Sequence, residues 1–263
     1  MKTTRAFSFT AGAASLMLAF CVSQPAQAED AWVYEFTPYL WATRMQGDVQ
    51  SGRLPEAHLD MSFGDILEDL DFGLMGSFEA RHGRWGLLID AIYMKISQSA
   101  EVHGRLPGPI AASGSADADA SVKQTLLAAA IAYRLTELPD AIDILAGLRY
   151  NRIYAETRLN ASLFGLSGSI KASDHESWLD PYVGLRYQNA LSTNWTFVGY
   201  ADIGGFGIGS NLTWQGLVGL RYTCSDSLSA IFGFRHLKTD YDQDGLQYDV
   251  QDSGPYLGVT LRY

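Results

Sequence analysis

Residues 254–263 read Gly254-Pro255-Tyr256-Leu257-Gly258-Val259-Thr260-Leu261-Arg262-Tyr263. Leu257, Val259, Leu261 and Tyr263 share one parity, and Tyr256, Gly258, Thr260 and Arg262 share the other. Successive side chains of a strand point to opposite faces, so this segment reads as a strand with one apolar face and one polar or small-residue face. The pattern repeats upstream. Leu228, Ala230, Phe232 and Phe234 oppose Ser229, Gly233 and Arg235, while Trp214, Val218, Leu220 and Tyr222 oppose Gln215, Gly219 and Arg221. The same rule predicts further strands at 31–43, 72–82, 85–97, 121–134, 141–157, 177–190 and 195–203, with 211–223, 228–238 and 254–263 completing a set of ten.

Backbone groups left unpaired in hydrocarbon are intolerable, so strands cross a bilayer only as a closed barrel, with apolar residues toward lipid and polar ones toward the lumen. The connections agree with that arrangement, because short turns at 82–84, 135–140, 192–194 and 225–227 alternate with longer segments at 44–71, 98–120, 158–176 and 239–253 and a tighter glycine-rich one at 204–210. Membrane barrels pair short periplasmic turns with long external loops. Trp32, Trp85, Tyr133, Tyr187, Trp195, Tyr222 and Tyr263 fall at turn-side ends, and Trp41, Tyr93, Tyr154, Trp178 and Trp214 nearer loop-side ends, which predicts two aromatic girdles. The expected fold class is therefore all-β: a ten-stranded antiparallel transmembrane β-barrel in up-and-down order, both ends periplasmic. Pro38 and Pro181 fall inside strands paired on both sides, and bulges or frayed ends are expected there.

The start of the chain has its own logic. Lys2 and Arg5, an apolar stretch centred on 11–22 and the small-residue end Ala26-Gln27-Ala28 form a secretory signal, giving a signal peptide over 1–28 and a barrel domain over 29–263. Phe20 before Cys21 argues against a lipid anchor. Removal of the signal takes Lys plus Arg from 19 to 17 against 29 acids, moving the formal charge from −10 to −12 and excluding nucleic acid as a partner. Only Cys224 then remains, so no intrachain disulfide forms, and no Cys/His spacing suits zinc. No stretch after the signal approaches the 18 apolar residues of a membrane helix.

The last strand resembles the C-terminal signal of bacterial outer-membrane barrels, an alternating strand closed by an aromatic. That resemblance implies two partners, outer-membrane lipid and the barrel-insertion machinery, the latter reading the strand that ends at Tyr263. Thr37-Pro38-Tyr39-Leu40-Trp41, Asp202-Ile203-Gly204-Gly205-Phe206-Gly207 and Gly254-Pro255-Tyr256-Leu257-Gly258 are similar to segments of an uncharacterised proteobacterial outer-membrane β-barrel family. It implies location and architecture in a Gram-negative outer membrane, but no substrate or catalytic residue.

Extending the inward parity gathers Glu35, Glu79, Asp90, Asp143, Asp180 and Asp202 with Arg81, Arg134, Arg149, Arg186, Arg221, Arg235 and Arg262. Isolated charges in a narrow lumen are costly, so these are expected to pair across strands. They form either a structural network filling the barrel or the lining of a solute path. Asp240, Asp242 and Asp244 with Gly245 match the first half of a calcium loop, but Gln251 stands where its bidentate glutamate belongs. Beyond weak Ca2+ binding there, no cofactor is expected. In the acidic segment 44–71, Ser62 and Asp65 form a capping box, and Phe63, Ile66, Leu67 and Leu70 follow helical spacing. They predict a short amphipathic helix that covers the barrel mouth, rests on the membrane interface or packs within its loop.

The glycine run 204–209 precedes a strand rather than a helix, unlike a phosphate-binding loop. Ten-stranded omptin proteases share the expected architecture, with an active site resembling an Asp-x-Asp pair facing an Asp-x-His pair. Asp117-Ala118-Asp119 is present, but Asp-x-His is absent, and His58, His82, His103, His175 and His236 are scattered. The expected function is a non-enzymatic outer-membrane barrel with a structural or limited small-solute permeability role. A surface binding module using the acidic loops is the alternative, and a protease or lipid-modifying hydrolase a more distant one.

Overall fold

Every alternating segment is a strand, and the ladders run further than the apolar period predicts. The computed structural model describes residues 31–51, 56–106, 112–163 and 166–263, so the signal peptide expected over 1–28 lies outside the described residues. The elements are β1 (Val33–Trp41), β2 (Arg44–Ser51), β3 (Ala57–Met61), α1 (Phe63–Asp69), β4 (Leu70–His82), β5 (Trp85–Leu106), β6 (Ala112–Thr136), β7 (Asp140–Leu163), β8 (Leu166–Ala190), β9 (Trp195–Gly204), β10 (Leu212–Ser225), β11 (Leu228–Gln243) and β12 (Leu246–Arg262). Ten of them, β1 and β4 through β12, close an antiparallel barrel. The seam pairs β1 with β12, from Glu35 opposite Arg262 to Trp41 opposite Tyr256.

Side chains on the apolar parity of β12 face outward, with Leu257 58% and Val259 45% exposed, whereas Tyr256 and Thr260 are buried inside. The outward apolar band ends at Pro255. Beyond it the outward positions of β12 are Ser253, Gln251, Asp249 and Gln247. Trp32, Trp85, Tyr187, Trp195, Tyr222 and Tyr263 are exposed at the turn side, and Phe72, Phe206 and Trp214 at the other. Trp41 and Trp178 depart from the expected girdle. Both point into the lumen, 4% and 6% exposed, because they share parity with Tyr39 and Asp180. Tyr154 sits on a polar extension, its hydroxyl donating to Glu156.

The long external connections are mostly strand. β6 and β8 have 25 residues each, on the order of 80 Å at about 3.3 Å per residue, against an apolar band about 25 Å tall. The β5–β6 ladder is continuous to Leu106 opposite Ala112, and the β7–β8 ladder to Leu163 opposite Leu166. These extensions lack a lipid-facing apolar stripe, which only the membrane demands. Segment 239–253 is likewise a hairpin, turning through Asp244 (φ 54°) and Gly245 (φ 85°). Asp-Gly suits a two-residue turn with both residues at positive φ.

Within 44–71, β2 continues the line of β1 along β12 and carries β3 on its outer edge. Helix α1 follows, with the Ser62–Asp65 capping box formed in both directions. Ile66 is buried against Met45, Trp178, Tyr241, Leu246, Tyr248 and Val250, so the helix covers the mouth. Neither proline makes a bulge. Register against β12 is the same on both sides of Pro38, and Pro181 lies where β9 stops pairing with β8, its carbonyl accepting from the Gly205 amide at 3.0 Å.

Candidate functional site in the barrel lumen

Inward side chains fill the lumen in three tiers. Nearest the turns, Arg186 of β8 grips Glu79 of β4 with two hydrogen bonds (2.6 and 2.9 Å) and Asp143 of β7 with two more (2.9 and 2.6 Å). Arg134 donates to Asp143 at 2.9 Å, and Arg81 to Glu79 at 3.0 Å and Asp143 at 3.2 Å. The Asp143 side chain is 1% exposed and serves three guanidinium groups. Glu35 lies directly opposite Glu79 across the β1–β4 ladder, an arrangement of like charges that is unfavourable alone. Arg221 takes Glu35 at 3.3 Å from the far side.

The middle tier spans the barrel as one chain of bonds. Arg235 of β11 holds Asp90 of β5 (2.7 Å), the Tyr39 hydroxyl (2.9 Å) and Gln215 Oε1 (2.7 and 3.0 Å), and its guanidinium lies 4.8 Å from the Trp41 ring. Gln215 donates in turn to Asp202 (3.3 Å), which accepts two bonds from Arg149 (2.7 and 2.9 Å) and one from the Tyr200 hydroxyl (2.7 Å). Arg149 also donates to Thr213 (3.1 Å) and lies 4.9 Å from the Tyr182 ring. Planar guanidinium groups that donate in two directions and stack on aromatics suit this role better than lysine.

The third tier lies toward the external end. Trp178 stacks on Tyr241 at 4.2 Å between centroids, with Tyr248 at 6.0 Å. Between the two charged tiers remains a cavity of about 160 Å³, lined by Leu88, Leu145, Val198 and Ile231 as well as charged groups. At about 30 Å³ per molecule it has room for roughly five waters.

Twelve of the thirteen charges selected by parity face the lumen, and eleven of them belong to the two charged tiers. Asp180 is buried but, among the described residues, pairs with no arginine. It accepts from the Ser210 amide (2.6 Å) and hydroxyl (2.9 Å), Asn151 and Trp178, pinning the tight 205–211 connection. Arg262 is exposed at the turn-side rim. Tyr39, Tyr182, Tyr200, Thr213 and Gln215 share the inward parity without a charge to single them out, and the luminal hydrogen bonds need such uncharged partners as well. The three aspartates of the half calcium loop are not gathered: Asp240 and Asp242 follow each other on the outer face of β11, engaged by Asn211 (3.2 Å) and Gln247 (3.5 Å), and Asp244 is in the turn. Among the described residues no three His, Cys, Asp or Glu side chains cluster as metal ligands.

Asp252 is a further inward carboxylate, in the part of β12 that lacks an outward apolar stripe in sequence. It lies inside the barrel just beyond the apolar band, 6% exposed, with Thr43 Oγ1 at 3.5 Å. Burial pushes its carboxyl up to about 7, while Thr43 and the charge of Arg235 pull the other way. A carboxyl raised in the folded state stabilises the fold fully below its unfolded pKa near 4, and that stability is lost as pH rises through 7. The difference in urea stability between Asp252→Asn and the parent protein is therefore expected to grow in the variant's favour from pH 4 to pH 8, by up to about 4 kcal/mol. A difference that stays constant with pH rules this out.

A scan against family models gives no match, and neither does a search of curated proteins. Solved structures do match. The outer membrane protease OmpT from Escherichia coli aligns over 91% of this chain and 99% of its own, with a TM-score of 0.53 at 9% identity. Ail, the attachment invasion locus protein of Yersinia pestis, aligns over 89% of this chain and 99% of its own, with a TM-score of 0.33 at 11% identity. The fold is that of a Gram-negative outer-membrane β-barrel.

Proposed function

We propose that this protein is a non-catalytic outer-membrane barrel whose lumen is closed to solutes and whose role in the membrane is structural. The observation that carries the reading is the unbroken run Asp90–Arg235–Gln215–Asp202–Arg149 across the lumen, flanked by an ion cluster on one side and an aromatic stack on the other. A conducting path needs sites that solutes enter and leave, and here most of the charged groups are engaged with one another, although Arg81 Nη1, Arg149 Nε and Arg221 Nε have no hydrogen-bond partner among the described residues. Catalysis finds no support at the rim. Asp119, the described half of the Asp-x-Asp pair, accepts from Ser99 at 2.7 Å. The last strand, hydrogen-bonded back to Tyr34 through Tyr263, is the segment offered to the insertion machinery.

Purified, folded protein in planar bilayers is expected to give no discrete conductance steps, and proteoliposomes containing it no swelling in small sugars. Reproducible single-channel steps from the parent protein overturn the closed lumen. Heat-dependent gel mobility of the same sample verifies that the barrel was folded during the recording.

A further inference from the structure

The lipid-facing wall has a groove across β5–β9. Register places Ala146 between Ile131 and Val183 in one outward row, with Ile203 beyond. In the next row toward the turns Ile144 stands between Tyr133 and Leu185, and Ala201 follows. Two alanines among branched and aromatic neighbours leave an apolar groove of about 1170 Å³, ample for a small-molecule site by the usual range of about 300–1,000 Å³. Its turn-side end is closed by Trp85 and Tyr133, whose rings lie 4.8 Å apart.

Next to that aromatic pair is an uncommitted cation. Arg84 sits in the β4–β5 turn, where its carbonyl accepts the Arg134 amide at 2.8 Å. Its side chain is exposed and, among the described residues, makes no ion pair, whereas Arg81 and Arg134 on either side are spent in the lumen. Turn-side aromatics of a barrel sit at headgroup depth, so Arg84 stands where phosphates lie.

We propose that the groove binds one phospholipid of the periplasmic leaflet, with an acyl chain over Ala146 and Ala201 and the phosphate held by Arg84. An acyl chain gains no hydrophobic energy on leaving bulk lipid, so selectivity comes from its fit in the groove and from the charge at one end. A second copy of the barrel is the competing occupant. A twofold along the membrane normal brings residues of equal depth together, setting Arg84 near its own copy and two concave surfaces face to face. This site is independent of whether the lumen conducts.

Native mass spectrometry of delipidated protein in micelles tests the site, with phosphatidylglycerol and diacylglycerol as probes and heat-dependent gel mobility showing that each variant is folded. One phosphatidylglycerol is expected to bind at least tenfold more tightly than the next. Ala146→Phe and Arg84→Ala are each expected to weaken that first event tenfold or more, and Arg84→Ala to leave diacylglycerol binding unchanged. Equal first affinities in the parent and either variant overturn the proposal. A dimer peak that lipid does not displace and Ala146→Phe abolishes assigns the groove to a second copy and overturns it equally.

Discussion

Asp143→Ala is expected to lower the unfolding free energy by about 3–5 kcal/mol, read as a fall in the urea midpoint of the micelle-bound barrel. The magnitude follows from what is left behind. Asp143 is 1% exposed and accepts from Arg81, Arg134 and Arg186 at 2.6–3.3 Å. Without it, three guanidinium groups converge with Glu79 as the one carboxylate left to answer them, and the few waters that the neighbouring cavity can hold restore only part of their solvation. The intact cluster need not be worth that much against an apolar filling, since a buried ion pair often about breaks even with one. The loss comes from leaving charges unpaired. Asp143→Ala with Arg134→Met removes one charge of each sign and is expected to recover a large part of the loss, although Arg134 alone is the less buried partner at 13%. If the double variant is as unstable as the sum of the two single variants, the three arginines do not act through Asp143 and the cluster has been misread.

The barrel was legible because lipid imposes a strict rule on every crossing strand. Parity in 228–234 and 254–261 carries over into lipid-facing and luminal positions, and fails only at the rim, where Arg262 is exposed. The same rule was silent outside the membrane. At 97–106, 112–120, 158–163 and 166–176 strands continue, but the sequence parity that is apolar in the membrane carries small and polar residues there and backbone pairing sustains the ladders, so these stretches read as loops. Trp41 and Trp178 obey the parity of their strands and face the lumen, although an aromatic near a strand end otherwise marks a girdle. In the lumen, charge was a good guide to position and a poor guide to partner. Arg149 finds Asp202 53 positions away, and Asp180, on the strand next to Arg149, finds a serine instead. Partner choice depends on which strands face each other across the closed ring and at what height, and a single strand's pattern contains neither.

Gly254→Ala is expected to cost more than about 4 kcal/mol, outside the usual range for one substitution, and to prevent the heat-modifiable folded form from accumulating. A Cβ at Gly254 would lie 2.0 Å from the Ala42 carbonyl oxygen and 2.9 Å from Thr43 Cα. Those are backbone atoms at the junction where β1 passes into β2, and the Ala42 amide is bonded to the Pro255 carbonyl at 2.9 Å. Relief requires moving a strand whose neighbours Trp41 and Met45 both fill the lumen, the first under Arg235 and the second in the external aromatic cluster. Two other glycines of the wall calibrate the effect. At Gly258 a Cβ meets the Thr37 methyl at 3.0 Å and Ile231 Cγ2 at 3.2 Å, side-chain contacts that can yield, so Gly258→Ala is expected to cost about 1–3 kcal/mol as overpacking. At Gly216 a Cβ meets nothing within 4 Å, and Gly216→Ala is expected to be neutral or slightly stabilising by reducing unfolded-chain entropy. The order Gly254, Gly258, Gly216 separates close backbone approach from a general preference for small residues in the wall. A Gly254→Ala protein as stable as Gly216→Ala would mean that β12 and the β1–β2 junction lie further apart than their hydrogen bond requires.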